Sequence, residues 1–324
     1  MVVEAEAQGG AGELAQRLLA GDRRALARAI TLVENGTLEG RRALALLYAH
    51  TGHAHTVGIT GGSGAGKSTL TGALAHELRK RDRSVGIVAV DPTSPFTKGA
   101  LLGDRIRMQE LTRDPEVFVR SMATRGELGG LAPATVEVVA VLDAAGKDVV
   151  MIETVGAGQD EVEVASSADT TVVVLTPAGG DDVQAMKAGI MEVADVLVVN
   201  KADLPGADIL VAQLKALTTQ ASRGRLETPV LETVATRGEG ITELADAIEA
   251  HRRRLAASGD LERERLARAR RQVLALARHR LLEDLVRLTE SDGHLDEIVG
   301  AVARRELDPY AAAERLIDAA AAGQ

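Results

Sequence analysis

The sequence predicts an α/β fold: a mostly parallel central sheet flanked by helices, with helical extensions at both ends. Three observations carry this. Seven short apolar runs rich in β-branched residues alternate with helical patterns between residues 51 and 256. A glycine-rich loop sits between the first run and the helix that follows it. Outside that span the apolar residues keep only helical spacing. Runs that are apolar on both faces, separated by helices, indicate a parallel sheet covered on both sides.

Residues 12–36, GELAQRLLAGDRRALARAITLVENG, place Leu14, Leu18, Leu19, Leu26, Ile30, Leu32 and Val33 at helical spacing, which predicts two short helices divided near Gly21-Asp22. They form an N-terminal extension, residues 1–50. The runs HTVGIT, SVGIVAVD, VFVRS, DVVMIET, TTVVVLT, DVLVVNK and TPVLETV are the expected strands. After residue 256 the pattern changes to one long charged helix, DLERERLARARRQVLALARHRLLEDLVRLTES, and a last helix, DPYAAAERLIDAAAA. In the long helix Leu266, Val273, Leu276, Leu281, Leu285 and Leu288 recur at roughly helical spacing. Such a stripe needs a partner, either its own domain or a second copy of the chain.

Composition narrows the class. The 324 residues carry 45% hydrophobic and 26% charged side chains, an ordinary globular balance. The core must be aliphatic, since Tyr48, Phe96, Phe118 and Tyr310 are the only aromatics. With no cysteine, disulfides and thiolate metal sites are excluded, which suits a reducing compartment. A net charge of −9 argues against a general nucleic-acid binder. The start, MVVEAEAQGG, lacks signal-peptide features, and no apolar run approaches the roughly 20 residues needed to span a bilayer. The expectation is a cytoplasmic protein without membrane or nucleic-acid partners.

The loop Gly61-x-x-x-x-Gly66-Lys67-Ser68 is a complete Walker A pattern in the required context, after a strand and opening a helix. The fold is therefore expected to be that of a P-loop nucleoside triphosphatase. Gly62, Ser63, Gly64, Ala65, Gly66, Lys67, Ser68 and Thr69 are the candidate phosphate-binding residues. Backbone N–H groups and the helix N-terminus attract the anion. Lys67 should reach the β- and γ-phosphates, and the Ser68 hydroxyl should bind Mg²⁺.

Asn200-Lys201-Ala202-Asp203 ends the sixth run and selects the base. A carboxylate there accepts from guanine N1–H and N2–H₂; adenine lacks that donor pair, so GTP and GDP are favoured. Glu232-Thr233-Val234-Ala235, at the end of the seventh run, stands where GTPases carry a short loop backing the base, with Val234-Ala235 in place of the usual Ser-Ala.

Three further strand ends supply metal and switch candidates. Glu153-Thr154-Val155-Gly156 occupies the place of a D-x-x-G switch, with Glu153 toward Mg²⁺ and Gly156 toward the γ-phosphate. Asp91 ends the second run and could contact metal or attacking water; Asp104 could cap a helix or serve the site. Lys67, Asp91 and Glu153 are the candidate catalytic residues, and Ser68, Asp91, Asp104 and Glu153 the candidate metal ligands. Gly179, Gly180, Asp181, Asp182 and Lys187 form a third candidate mobile segment, although Asp181 is also a good helix cap. No Gln directly follows Gly156; the nearest is Gln159, which predicts slow intrinsic hydrolysis awaiting a partner.

Taken together, the chain resembles the MeaB/ArgK family of GTPases. The matching segments are GDRRALARAITLVEN, GITGGSGAGKSTL, VAVDPTSPFTKGALLGDRIRM, VRSMATRGELGGLA, ETVGAGQDE, the Gly179-to-Lys187 loop and NKADLPGA. The resemblance implies a P-loop GTPase with helical extensions, often a homodimer through the C-terminal arm, here residues 257–324. It implies a chaperone for an adenosylcobalamin-dependent acyl-CoA mutase, usually methylmalonyl-CoA mutase, coupling GTP hydrolysis to cofactor loading and removal of damaged cofactor. It places Lys67, Ser68, Asp91, Asp104 and Glu153 around phosphate and Mg²⁺, Asn200, Lys201 and Asp203 at guanine, and makes Gly179 to Lys187 a switch that signals to the mutase. Ser63 stands where many members carry proline, which points to a subgroup serving a different mutase.

Two alternatives remain at this level. Related GTPases deliver metals such as nickel, and His50, His53 and His55 are the only histidine cluster, expected to be solvated. A P-loop metabolite kinase using Asp91 as base would prefer ATP.

Overall fold

A computed structural model describes residues 2–91, 111–123, 133–154, 167–177, 193–221, 228–291 and 293–322. Its strands are β1 (His55–Gly61), β2 (Val85–Asp91), β3 (Val117–Ala123), β4 (Val149–Thr154), β5 (Thr170–Leu175), β6 (Val196–Asn200) and β7 (Val230–Thr233). All seven expected strands are present. They form one sheet in the order β3-β2-β4-β1-β5-β6-β7, and every pairing is parallel. The helices are α1 (Val2–Leu19), α2 (Arg23–Glu34), α3 (Leu38–Leu47), α4 (Lys67–Lys80), α5 (Pro133–Ala144), α6 (Ala207–Ala221), α7 (Ile241–Ser258), α8 (Asp260–Ser291), α9 (His294–Ala303) and α10 (Pro309–Ala322).

The runs are apolar on both faces because both faces are covered. Ile59, Ile87, Met151, Val172 and Val198 pack with Leu70 and Leu74 of α4 and Leu244 and Ile248 of α7. Their neighbours Val88, Val90, Val150 and Ile152 point the other way, onto Leu18, Ile30, Leu47 and Leu142 of α1, α2, α3 and α5. Val173, Leu175, Leu197 and Val199 continue that alternation under Leu210 and Leu214 of α6. Each fully buried aliphatic side chain of this kind contributes about 2 kcal/mol.

The N-terminal helices are thus one of the covering layers. The break between α1 and α2 falls at Gly21-Asp22, where Asp22 Oδ1 caps α2 by accepting from the Arg24 and Ala25 amides at 2.8 and 3.2 Å. Arg120 of β3 pairs with Glu34 at the far end of α2. Helix α3 was not foreseen. It is short, capped by Thr37, whose Oγ1 accepts from Gly40 N at 3.0 Å, and it buries only Gly40, Ala43 and Leu47. Small residues make a stripe that leucine spacing does not reveal.

At the amino edge of the sheet, His55 differs from the expected solvated cluster. It is buried, with Nε2 2.8 Å from Thr170 Oγ1, which in turn lies 2.8 Å from His251 Nδ1 of α7. His251 Nε2 is 3.3 Å from Asp195. Burial pushes the Asp195 carboxyl up to about 6, against the opposing Thr171 N–H. Among the described residues no group of three or more His, Cys, Asp or Glu is placed to hold a metal ion.

Contacts divide the chain into two compact units, Met1–Leu261 and Glu262–Gln324. In the second, α9 and α10 pack on one another. Helix α9, which follows Gly293 in the left-handed region, was also not foreseen. Along α8, Leu266, Val273 and Leu281 are exposed. Among the described residues no helix is long and apolar enough to cross a membrane.

Candidate nucleotide-binding site

Parallel strands deliver their carboxyl ends to one edge, and β1 lies centrally between β4 and β5. The loop after β1 therefore opens in the crevice of the sheet, the position at which α/β folds bind ligands. Glycine is required at its entry. Gly61 has φ +139, and a side chain there would run into the Val174 carbonyl of β5.

Lys67 is the first residue of α4, and its side chain is buried inside the loop. Nζ donates to the Gly61 carbonyl at 2.5 Å and to Gly62 at 2.9 Å. The ammonium is thus held by dipoles at the place where a phosphate chain meets the helix N-terminus. Ala65 is buried, Ser63 and Gly64 are exposed, and Gly62 and Thr69 line the loop and first helical turn.

Glu153, almost wholly buried near the end of β4, sits beside Ile59 in the β1–β4 register. Its Oε1 accepts from the Ser68 hydroxyl. A hydroxyl and a carboxylate brought together are hard oxygen donors of the kind Mg²⁺ takes. Asp91 closes β2, the strand next to β4, so its backbone reaches the same edge.

On the other side, β6 ends in Asn200, whose side chain is a three-way junction. Nδ2 donates to the Ala65 carbonyl at 2.8 Å, while Oδ1 accepts from Thr233 Oγ1 at 3.1 Å and Ala235 N at 3.2 Å. The fit is close, since a Cβ on Gly66 would lie 2.5 Å from Asn200 Nδ2. Lys201, in the left-handed region at φ +57, sends Nζ to the Gly64 carbonyl at 2.8 Å. Val234 and Ala235 are buried in the turn that follows β7. Asp203 pairs with Arg237 of that turn at 3.1 Å.

The structure therefore brings Gly62 to Thr69, Glu153, Asn200, Lys201, Asp203, Val234 and Ala235 to one edge of the sheet. The side chain of Asp91, together with Asp104, Gly156, Gln159, Gly179, Gly180, Asp181, Asp182 and Lys187, lies outside the described residues. Arg237 was missed by sequence reasoning, and Thr233 was read only as part of the segment Glu232 to Ala235, with no bond of its own. Thr233 carried no signal beyond being the last residue of a strand, and Arg237 only the glycine-flanked turn TRGEG.

Comparison with known proteins agrees with this geometry. The family model for the methylmalonyl-CoA mutase-associated GTPase MeaB matches residues 26–290. A protein of Pyrococcus abyssi named as a GTPase is 49% identical over 94% of this chain and 95% of its own length. The mouse methylmalonic aciduria type A homolog, a mitochondrial protein, is 38% identical over 76% of this chain, which spans 64% of that protein. A crystal structure of an LAO/AO transport system kinase superposes with a TM-score of 0.72 at 28% identity, covering 96% of this chain and 97% of that one. The P-loop between β1 and α4 and a family match across most of the chain agree, and the protein belongs to the MeaB family of P-loop GTPases.

Proposed function

We propose that the protein is a GTP-driven chaperone for an adenosylcobalamin-dependent acyl-CoA mutase, with methylmalonyl-CoA mutase the first candidate partner. The observation that carries this reading is the junction at Asn200, which ties the base tetrad to the phosphate loop, together with a family description that names association with that mutase.

In this reading Gly62 to Thr69 hold the phosphates through backbone N–H groups, and Lys67 exchanges its carbonyl partners for the β- and γ-phosphate oxygens. Asp203 reads N1–H and N2–H₂ of guanine, with Asn200 and Lys201 holding its loop against the phosphate loop. Ser68 and Glu153 would hold Mg²⁺, with Asp91 and Asp104 as further candidates. Bound there, the ion would supply charge neutralisation for the phosphates. Gly156, Gln159 and the Gly179-to-Lys187 segment are the proposed switches that carry the nucleotide state to the mutase. Residues 257–324 are the proposed dimerisation arm, and the cytoplasm the proposed compartment.

The test is selective retention. The chain should be protected thermally by GTP and not by ATP, and a non-hydrolysable GTP analogue should change its co-purification with the mutase. Equal protection by ATP, or co-purification indifferent to nucleotide, overturns the reading.

A further inference from the structure

The base-reading carboxylate has a partner of its own. Arg237 Nη2 donates to Asp203 Oδ2 at 3.1 Å, while its Nη1 lies 3.9 Å from Glu239. Both side chains stand on fixed backbone. On one side, Leu204 N bonds the Lys201 carbonyl at 3.0 Å and Ala202 N bonds Thr233 O at 3.1 Å. On the other, Arg237 N bonds Val234 O at 2.9 Å and Val234 N bonds Glu239 O at 3.1 Å, closing the turn. The ion pair is therefore a side-chain brace between two loops that the backbone already holds together.

The pair is exposed, with 58% of the Arg237 side chain and 33% of the Asp203 side chain accessible. Such pairs add little to stability, so its effect should be sought in recognition. We infer that Arg237 is a positioning residue for base selection, fixing the plane of the Asp203 carboxylate so that both oxygens meet a guanine edge. This rests on the reading of Asp203 as the guanine contact.

The chemistry is that of a two-oxygen contact. A carboxylate oxygen has two acceptor sites, so Oδ2 keeps the arginine while accepting from the base. Guanine presents N1–H and N2–H₂ side by side and needs both oxygens in one plane. Hypoxanthine presents N1–H alone and is satisfied by one oxygen over a wide range of carboxylate rotation. Orienting the carboxylate beforehand removes an ordering cost from guanine binding and little from hypoxanthine binding. The contact uses a single N–H, so a lysine ammonium at this position can replace it.

Equilibrium titration of the full-length chain with GTP and ITP tests this, comparing the unaltered protein with Arg237→Ala and Arg237→Lys. The GTP-over-ITP preference should fall about three- to fivefold in Arg237→Ala, the upper part of the range of an exposed ion pair, and be largely retained in Arg237→Lys. Raising salt to about 1 M should bring the unaltered protein toward the alanine variant, because exposed charges are screened. An unchanged preference in Arg237→Ala, or equal weakening of both nucleotides, overturns the inference. Asp203→Asn, titrated with GTP and XTP, separates the two readings. If it fails to shift preference toward XTP, the guanine assignment itself is wrong and the Arg237 role falls with it. If it shifts while Arg237→Ala leaves the preference unchanged, only the Arg237 role is wrong.

Discussion

The Asn200 side-chain amide donates to the Ala65 carbonyl at 2.8 Å across 135 positions of sequence, joining the end of β6 to the glycine-rich loop between β1 and α4. The same side chain accepts from Thr233 and Ala235, so the loop after β1 and the ends of β6 and β7 meet at one buried residue. Nucleotide affinity and local stability should therefore be coupled there.

Replacing Asn200 with alanine leaves the Ala65 carbonyl, the Thr233 hydroxyl and the Ala235 amide without this partner. The expected cost is about 2–3 kcal/mol of stability, read in urea denaturation, with GTP affinity falling at least about tenfold. Thr233→Val removes one neutral hydrogen bond from the same junction and should cost about 1 kcal/mol.

Glu153→Gln keeps the volume and an acceptor for Ser68 but removes the charge. GTP titrations in Mg²⁺ should show a metal requirement raised by about tenfold or more. Titrations in EDTA should show little change. Equal loss with and without the metal would assign Glu153 a packing role instead.

The amino edge of the sheet predicts a pH dependence. Asp195 has a folded value of about 6 against an ordinary value of 3.8. The folded state therefore holds its proton more tightly than the unfolded chain. Its contribution to stability is full below about pH 4 and is lost as pH rises through about 6. Its side chain is 34% exposed and faces His251, with Arg254 acting from a distance, so the net effect is on the order of 1 kcal/mol. Asp195→Asn should be more stable than the unaltered chain by that amount at pH 7.5 and equal to it near pH 4, measured by urea midpoints. A less stable variant at pH 7.5 would show that the charged carboxylate is favoured.

Ile30 of α2 is fully buried against the sheet, within the same compact unit as the strands. Ile30→Ala should lower stability by about 2–5 kcal/mol. The transition of that unit should move as a whole, because the N-terminal helices cover the sheet.

Much of this was legible in the sequence, for a physical reason. A strand buried on both faces must be apolar without alternation, so the inner strands β1, β2, β4, β5 and β6 announce themselves; the half-buried edge strands β3 and β7 carry Arg120 and Glu232 and show only through their β-branched and apolar residues. The glycine-rich loop and the Asn200-to-Asp203 tetrad are equally plain as sequence patterns. What stayed hidden depends on partners far along the chain. His55 reads as a polar residue at a strand start; its burial follows from Thr170, 115 positions away, and from His251 beyond it. Arg237 reads as a solvated charge until the turn after β7 folds toward Asp203. Helices α3 and α9 were missed because small residues bury their stripe or because their larger apolar side chains remain exposed, as Val299 does.

The decisive measurement is GTP hydrolysis by the chain, alone and with methylmalonyl-CoA mutase. A mutase chaperone should turn GTP over slowly in isolation, show a clear rise when the mutase is added, and show no comparable rise with ATP. Fast hydrolysis by the chain alone, or a rate that no adenosylcobalamin-dependent acyl-CoA mutase alters, would contradict it.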